Sequence, residues 1–416
     1  DGETGVAVAN LHGLPSPAGL ITTDATLAQL YPGPVLHVED GSRAILDMGD
    51  YARRQMTGNV LGVTGSAGKT TVVAMLAHAL SAWGNVGKSH HNANLPAGVG
   101  WNLASMAWNT PHVVLELAVG KMAVSARMAR PRVAIFTNVL PAHLGRNSTV
   151  ADIARTKSGI FLGMYPGDVA VLNRDMLEWD TVHDAARKRG LDIMTYGTTD
   201  DCAFQLIRYN AADGLTHARI EGREISYRVG AVGQHMALNS LAVLAAVASL
   251  GHPLQPAIAQ LESFAALPGR GEEICLSLDG RRLTVIDDAY NANPGSMRAA
   301  LDRLNDHGDG RRRVAVLGEM AELGPGAASY HTELAVSLRE SSINQVYVAG
   351  DLYSEFWDEL SPELKGAYVH SRQVLKDILR EKLQDGDVVL VKGSHSAGMH
   401  ELVAWLKKSA DGSAAA

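Results

Sequence analysis

The sequence predicts an α/β protein with parallel sheets arranged in two successive units. Three observations lead there. Strand-length apolar runs alternate with helix-length segments from about residue 58 onward, a glycine-rich turn joins the first such strand to the first long helix, and a second strand series follows residue 270. At 416 residues the chain exceeds what one hydrophobic core holds. The expected division is a small lobe at 1–57, a central unit at 58–270 and a last unit at 271–416.

The elements justify this in order. Residues 1–57 carry few regular patterns and many glycines and prolines, so a small lobe at most is expected. Val60-Leu61-Gly62-Val63 is short, apolar and strand-like, and Thr71–Leu80 places apolar residues at helical spacing. "HVVLELA" (112–118), "RVAIFTNV" (132–139) and "DVAVLN" (168–173) read as further strands, followed by a polar β-like stretch over about 194–230 and a helix over about 235–250. The second series is "LTVIDDA" (283–289), "RVAVLGE" (313–319), "QVYVAGD" (345–351) and "DVVLVKG" (387–393).

Composition removes several function classes. With 46% hydrophobic and 19% charged residues the chain is globular rather than disordered. A net charge of −7 with interspersed signs leaves no nucleic-acid footprint, so no nucleic-acid partner is expected. Cys202 and Cys275 make neither a disulfide framework nor a C-x-x-C site, which points to a reducing, cytoplasmic setting. The most apolar helix candidate, 241–251, is too short to span a bilayer and reads as core, so no membrane partner is expected. The start "DGETGVAVANLHGLPSPAGL" lacks a secretory pattern and Asp1 is not Met, so the expectation is a start inside a longer, multidomain chain.

"VTGSAGKTTV" (63–72) sits where a phosphate-binding loop must sit, at a strand-to-helix turn. Gly65 and Gly68 permit backbone angles that let successive N–H groups converge on phosphate oxygens at a helix N-terminus. Lys69 supplies a mobile positive charge and Thr70 a hydroxyl for magnesium. Val63 stands where the general phosphate-loop pattern has its first glycine. Glu116 ends one strand-like run and His143 lies just past another, so in a parallel sheet both emerge at the carboxyl edge beside this loop. There they hold magnesium, or else Glu116 caps a helix and His143 is a loop histidine. Lys157, on a helix near an apolar face, reads by itself as a solvated or salt-bridged lysine. The remaining histidines show no metal-ligand spacing.

Together these motifs resemble the Mur ligase family, the ATP-dependent amide-forming enzymes of peptidoglycan assembly, over nearly the whole chain from about residue 35. The family's loop form T-G-x-x-G-K-T-[ST] is met by "TGSAGKTT" and accounts for Val63. "DDAYNANPGSM" (287–297), "LGEMAELG" (317–324) and "VKGSHSAGM" (391–399) look most like the D-alanyl-D-alanine-adding, or MurF, type. The resemblance implies a central P-loop ATPase domain with a parallel sheet and a Rossmann-like last domain. It assigns Thr64, Gly65, Ser66, Ala67, Gly68, Lys69, Thr70 and Thr71 to the ATP phosphates. It assigns Thr70 and Glu116 to one Mg2+ and His143 to a second. It makes Lys157 the family lysine that carries a CO2-derived carbamate and so becomes a magnesium ligand. "GQHMALN" matches G-x-H-N-x-x-N, which turns Asn239 toward adenine with Met236 replacing the first Asn, and Arg270 and Asp288 match nucleotide-holding positions. Lys69, Glu116, His143 and Lys157 are thus the expected catalytic set.

The departures from the family lie on the acceptor side. "NANLPAG" (92–98) has Leu95-Pro96 where Asn-Glu is usual, Ala118–Val124 replaces G-A-N-H-x-G-E, Gly145–Ser148 replaces E-G-F-G, and 1–57 matches only the end of the UDP-gripping domain. The expectation is therefore a MurF-like ligase that phosphorylates a small-molecule or peptidyl carboxylate other than a UDP-muramoyl peptide, in a specialised pathway, and joins it to an amino acid or dipeptide amine. The alternatives are the cell-wall UDP-N-acetylmuramoyl-tripeptide ligase itself and a non-catalytic nucleotide-binding module.

Overall fold

The computed structural model describes residues 18–413 apart from 32, 91, 143, 146, 147, 308, 309 and 340. Strands β1 (Leu20–Thr22) and β2 (Val35–His37) form a small parallel pair. The main sheet contains β3 (Asn59–Thr64), β4 (Val86–Lys88), β5 (His112–Glu116), β6 (Val133–Phe136), β7 (Val169–Asn173), β8 (Asp192–Gly197), β9 (Phe204–Asn210), β10 (Leu215–Ile220) and β11 (Arg223–Arg228), in spatial order 11-10-9-8-7-6-3-5-4. It is parallel from β4 to β9 and ends in the antiparallel meander β9–β10–β11, which is the polar stretch expected over 194–230. The third sheet contains β12 (Glu272–Leu278), β13 (Arg281–Asp288), β14 (Arg313–Gly318), β15 (Gln345–Ala349), β16 (Lys365–Val369) and β17 (Val388–Lys392), in order 12-13-17-14-15-16. Only the β12–β13 pair is antiparallel.

The parallel strands read as continuous apolar runs because helices cover both faces. β5 is buried at every residue, as are β6 and β17. The helices Lys69–Leu80 and Gln234–Ser249 are apolar nearly all round and pack in one core with β3, β6 and β7, so the 241–251 run is interior, as its length predicted. Among the described residues no helix is long and apolar enough to cross a membrane.

The reading of 1–57 as nearly patternless is corrected. Gly41–Gln55 is a fifteen-residue helix capped by Asp40, whose carboxylate accepts from the Arg43 amide at 3.1 Å. It packs on the helix Pro96–Ala104 through glycines: a Cβ on Gly49 would come 2.4 Å from Cα of Gly100. Its buried residues are Gly49 and Ala52, and Ile45, Met48 and Ala52 recur at helical spacing, a pattern the sequence reading passed over.

Register places the site. Val63 pairs with Glu116 and Thr64 with Phe136, so β3, β5 and β6 end side by side and their following loops share one crevice. In the third sheet Asp288 pairs with Lys392 at the ends of β13 and β17. The two sheets are joined through 264–271, where Gly269 adopts φ +72° and its amide donates to Asp287 Oδ2 at 3.2 Å. Arg303 then fastens Gly271, donating to its carbonyl at 2.6 Å.

Candidate active site

One cleft of about 950 Å³ lies between the two sheets. Ser66, Ala67, Gly68, Lys69, Thr70 and Thr71 form its floor, Glu116 and Asn239 one wall, and Arg270 and Asp288 the wall opposite. Thr64, Gly65 and Lys157 stand behind that surface. Thr64 is fully buried and its hydroxyl donates to Leu117 O at 2.9 Å, tying the end of β3 to the residue after β5. His143 lies outside the described residues.

The loop owes its shape to two glycines in the left-handed range, Gly65 at φ +145° and Gly68 at φ +79°. A Cβ on Gly65 would fall 1.8 Å from Thr137 Oγ1, which fixes that position as glycine twice over. The expectation that successive loop amides converge on phosphate needs adjustment. The amides of Ser66 and Ala67 donate to Asn138 Oδ1 at 3.1 and 2.8 Å. The donors left for an anion are those of the first helical turn from Lys69, which have no intrahelical acceptor.

Two lysines converge on the loop from opposite sides. Lys69 Nζ donates to Gly65 O at 2.9 Å and Lys157 Nζ donates to the same oxygen at 2.8 Å. Lys157 reaches it from the helix Val150–Ser158, whose start is held by a capping box between Thr149 and Asp152 and whose buried face also carries Ile153 and Ala154. It is 1% exposed, so the solvated or salt-bridged reading is overturned. Burial, and then Lys69, push the Lys157 amine well below the ordinary lysine range, with Glu116 opposing. Lys69 is lowered too, by burial first and in part by Arg270.

Glu116 is held from three directions, which excludes its reading as a helix cap. Oε2 accepts from Thr70 Oγ1 at 2.5 Å, Oε1 accepts from Asn94 Nδ2 at 2.9 Å, and its amide donates to Ser89 Oγ at 2.9 Å. A hydroxyl and a carboxylate in contact beside a lysine-lined loop are an oxygen donor set that suits Mg2+. Among the described residues no group of three or more His, Cys, Asp or Glu is placed to hold a metal.

The opposing wall is equally ordered. Arg270 lies over the Tyr290 ring, 4.2 Å from its centroid. Asp288 accepts from the buried Lys392 at 2.7 Å, and Lys392 also donates to Asn291 O at 3.1 Å. Beside them burial pushes His235 down to about 4, Asp288 opposing and Arg303 and Lys392 reinforcing the shift. Asn239 faces the loop: a Cβ on Gly68 would come 3.3 Å from its Oδ1. Leu95, 48% exposed, covers Gly120 on the acceptor side, and Pro96 opens its helix at the first turn.

Sequence reasoning missed Asn94, Asn138 and Lys392. Only Lys392 had a signal, its place in "VKGS" at the end of a strand. Asn94 and Asn138 act through tertiary proximity to Glu116 and to the loop.

Comparison with known proteins agrees with this geometry. The family model described as Mur ligase middle domain matches residues 63–247, and that described as Mur ligase, glutamate ligase domain matches 269–395. The UDP-N-acetylmuramoyl-tripeptide--D-alanyl-D-alanine ligase of Escherichia coli (strain K12) is 30% identical over 395 residues, covering 90% of this chain and 83% of that protein. The protein of the same name from Treponema pallidum (strain Nichols) is 32% identical over 383 residues, covering 89% and 80%. Among solved structures, MurF from Acinetobacter baumannii superposes with TM-score 0.78 at 25% identity, covering 96% of this chain and 87% of that one. MurF ligase from Thermotoga maritima in complex with ADP gives TM-score 0.78 at 24% identity, covering 91% and 86%. With two family models in succession and relatives aligned over most of both chains, this chain belongs to the Mur ligase family, as an ATP-dependent, ADP-forming amide ligase of MurF-like kind.

Proposed function

We propose that this chain joins D-alanyl-D-alanine to the terminal carboxylate of a UDP-N-acetylmuramoyl tripeptide, the reaction named for its relatives. The observation that carries the reading is the convergence of Lys69, Thr70 and Glu116 on one side of a cleft whose other side presents Arg270 and Asp288. In the first step a carboxylate oxygen attacks the γ-phosphorus of ATP, the bond to the β-phosphate oxygen breaks, and ADP leaves an acyl phosphate. In the second, the dipeptide amine attacks the acyl carbon, loses a proton and expels phosphate. Lys69 and the first-turn amides oppose the charge that builds on the transferring oxygens. Thr70 and Glu116 would hold Mg2+, which when bound neutralises the same charge, and His143 is proposed for a second ion. Asn239 orients the adenine, and Arg270 on Tyr290 closes the nucleotide in from the far wall. The three divisions 1–57, 58–270 and 271–416 are proposed as domains that close over this cleft.

Lys157 is proposed as a carbamate site. A neutral amine adds CO2 with loss of one proton, converting a cation into a carboxylate-like group, and burial beside Lys69 favours the neutral amine this needs.

The expectation of a different carboxylate finds no support in the names of the relatives. It stands as the second reading, favoured by the apolar acceptor wall of Leu95 and Val119. The test is mass spectrometry of the purified protein incubated with ATP, magnesium, D-alanyl-D-alanine and UDP-N-acetylmuramoyl tripeptide. A pentapeptide product with matching ADP supports the proposal. Turnover confined to other carboxylates overturns it in favour of the second reading, and no ADP with any acceptor leaves a nucleotide-binding module.

A further inference from the structure

A second cleft, of about 400 Å³, is walled by Arg53, Arg54, Arg130, Arg132, Tyr165 and Asp168. It lies at the sheet edge opposite the nucleotide cleft: Arg132 precedes β6, Asp168 precedes β7, and Asn59, which bonds Arg132, opens β3. At roughly 3.3 Å per residue, the six residues of β3 separate the two edges by about 20 Å.

The guanidiniums are held rather than scattered. Arg53 donates from Nε to Ala129 O at 2.6 Å and from Nη2 to Arg130 O at 2.9 Å, closing the last turn of the helix Met122–Ala129 and leaving Nη1 uncommitted by these bonds. Arg132 spends Nη1 on Asn59 Oδ1 at 3.0 Å. Arg130 sits at φ +43°, a left-handed conformation that arginine adopts at a cost, and its buried Nη2 makes no hydrogen bond although Asp50 Oδ1 is 3.3 Å away. Asp50 is shared with Arg54 at 2.7 Å. Asp168 Oδ2 accepts from the Tyr165 amide at 2.7 Å. Four guanidiniums therefore face two carboxylates, in a chain whose net charge is −7. Burial first, and then Arg130, lower the Arg53 pKa, with Tyr165 and Asp168 opposing.

We propose that this cleft binds a phosphate-type oxyanion, free or as the ester of a small molecule, between Arg53 and Arg132 with Tyr165 at its rim. Forked N–H donors from several arginines match the several oxygens of a phosphate better than the single plane of a carboxylate. The volume exceeds that of a bare ion, and Tyr165, 62% exposed, offers a ring face to whatever the phosphate carries.

The test is calorimetric titration of the whole chain with inorganic pyrophosphate, with the nucleotide cleft already saturated by magnesium ADP. The expected result is one further saturable site. In Arg54→Ala/Arg132→Ala, both exposed positions, it weakens about tenfold or more, while Lys69→Ala leaves it in place. Circular dichroism and an unchanged melting temperature establish that the double variant is folded. A parallel titration with glucose 1-phosphate distinguishes the two forms: weakening by Tyr165→Ala of the ester alone assigns the site to an ester, and equal weakening of both assigns it to the free ion. No saturable heat, an affinity indifferent to the double substitution, or an equal response to sodium chloride at matched ionic strength would overturn the proposal.

Discussion

Lys69 and Lys157 donate to a single acceptor, the carbonyl oxygen of Gly65, at 2.9 and 2.8 Å from opposite sides of the phosphate loop. Burial lowers the pKa of both amines, Glu116 opposes the shift in each, and Lys69 pushes Lys157 down further.

Lys69→Ala removes the charge that faces the transferring oxygens, and among the described residues the cleft floor Ser66–Thr71 carries no other cationic side chain. ATP-dependent phosphate release, followed by a coupled ADP assay, is expected to fall by roughly 10²–10³-fold or more in kcat. Turnover within a few-fold of the parent would remove Lys69 from the reaction.

Lys157 makes stability pH-dependent in a definite direction. Its folded pKa lies below the ordinary 10.5, so between those two values the unfolded chain binds a proton that the native chain does not, and stability rises with pH across that window. Lys69 adds a slope of the same sign. Lys157→Met should flatten the rise, whose ceiling is about 1.4 kcal/mol per pH unit for one group. Urea titrations between about pH 8 and 10 in CO2-free buffer measure it, and an unchanged slope contradicts the burial of a neutral amine.

Gly65→Ala should be among the most damaging single substitutions in the central unit, costing ~3 kcal/mol or more, because the new methyl meets Thr137 Oγ1 at 1.8 Å in an unfavourable backbone conformation. Adding Thr137→Ala removes the clashing oxygen. The double variant is expected to melt higher than Gly65→Ala alone, a coupling that thermal unfolding of the full cycle reads directly.

Lys392→Met breaks a buried ion pair with Asp288 at 2.7 Å and should cost ~3 kcal/mol in chemical denaturation. Lys392 also helps hold down the pKa of His235, now about 4, so its loss should move that histidine upward, as an NMR titration would register. A His235 titration that stays put would dissociate the two residues.

Gly295 gives the two sheets room to meet, since a Cβ there would lie 2.6 Å from Leu140 Cδ1, and Leu140 is tied to the phosphate loop through its amide on Ser66 Oγ at 3.0 Å. Gly295→Val should wedge the cleft open, raising the radius of gyration in solution scattering and lowering kcat about tenfold. Leu140→Ala in the same chain should restore much of both. Normal kcat in the single variant would show that this contact does not govern closure.

The sequence by itself determined the phosphate loop, the parallel α/β class and the strand-end position of Glu116. Each of these is local: glycines at a strand-to-helix turn, apolar runs of strand length, and a carboxylate at the end of one of them. Tertiary structure decided what no local pattern contains. The helix Gly41–Gln55 carries Ile45, Met48 and Ala52 at helical spacing, but its docking through the close approach of Gly49 to Gly100 is a tertiary contact that no local pattern contains. Asn138 takes the Ser66 and Ala67 amides, Asn94 fixes Glu116, and the Lys157 amine turns inward to Gly65, all through contacts between residues far apart in the chain. Periodicity reports which face of an element is buried, whereas the hydrogen-bond partner and the charge state of a side chain depend on which other elements the fold brings beside it.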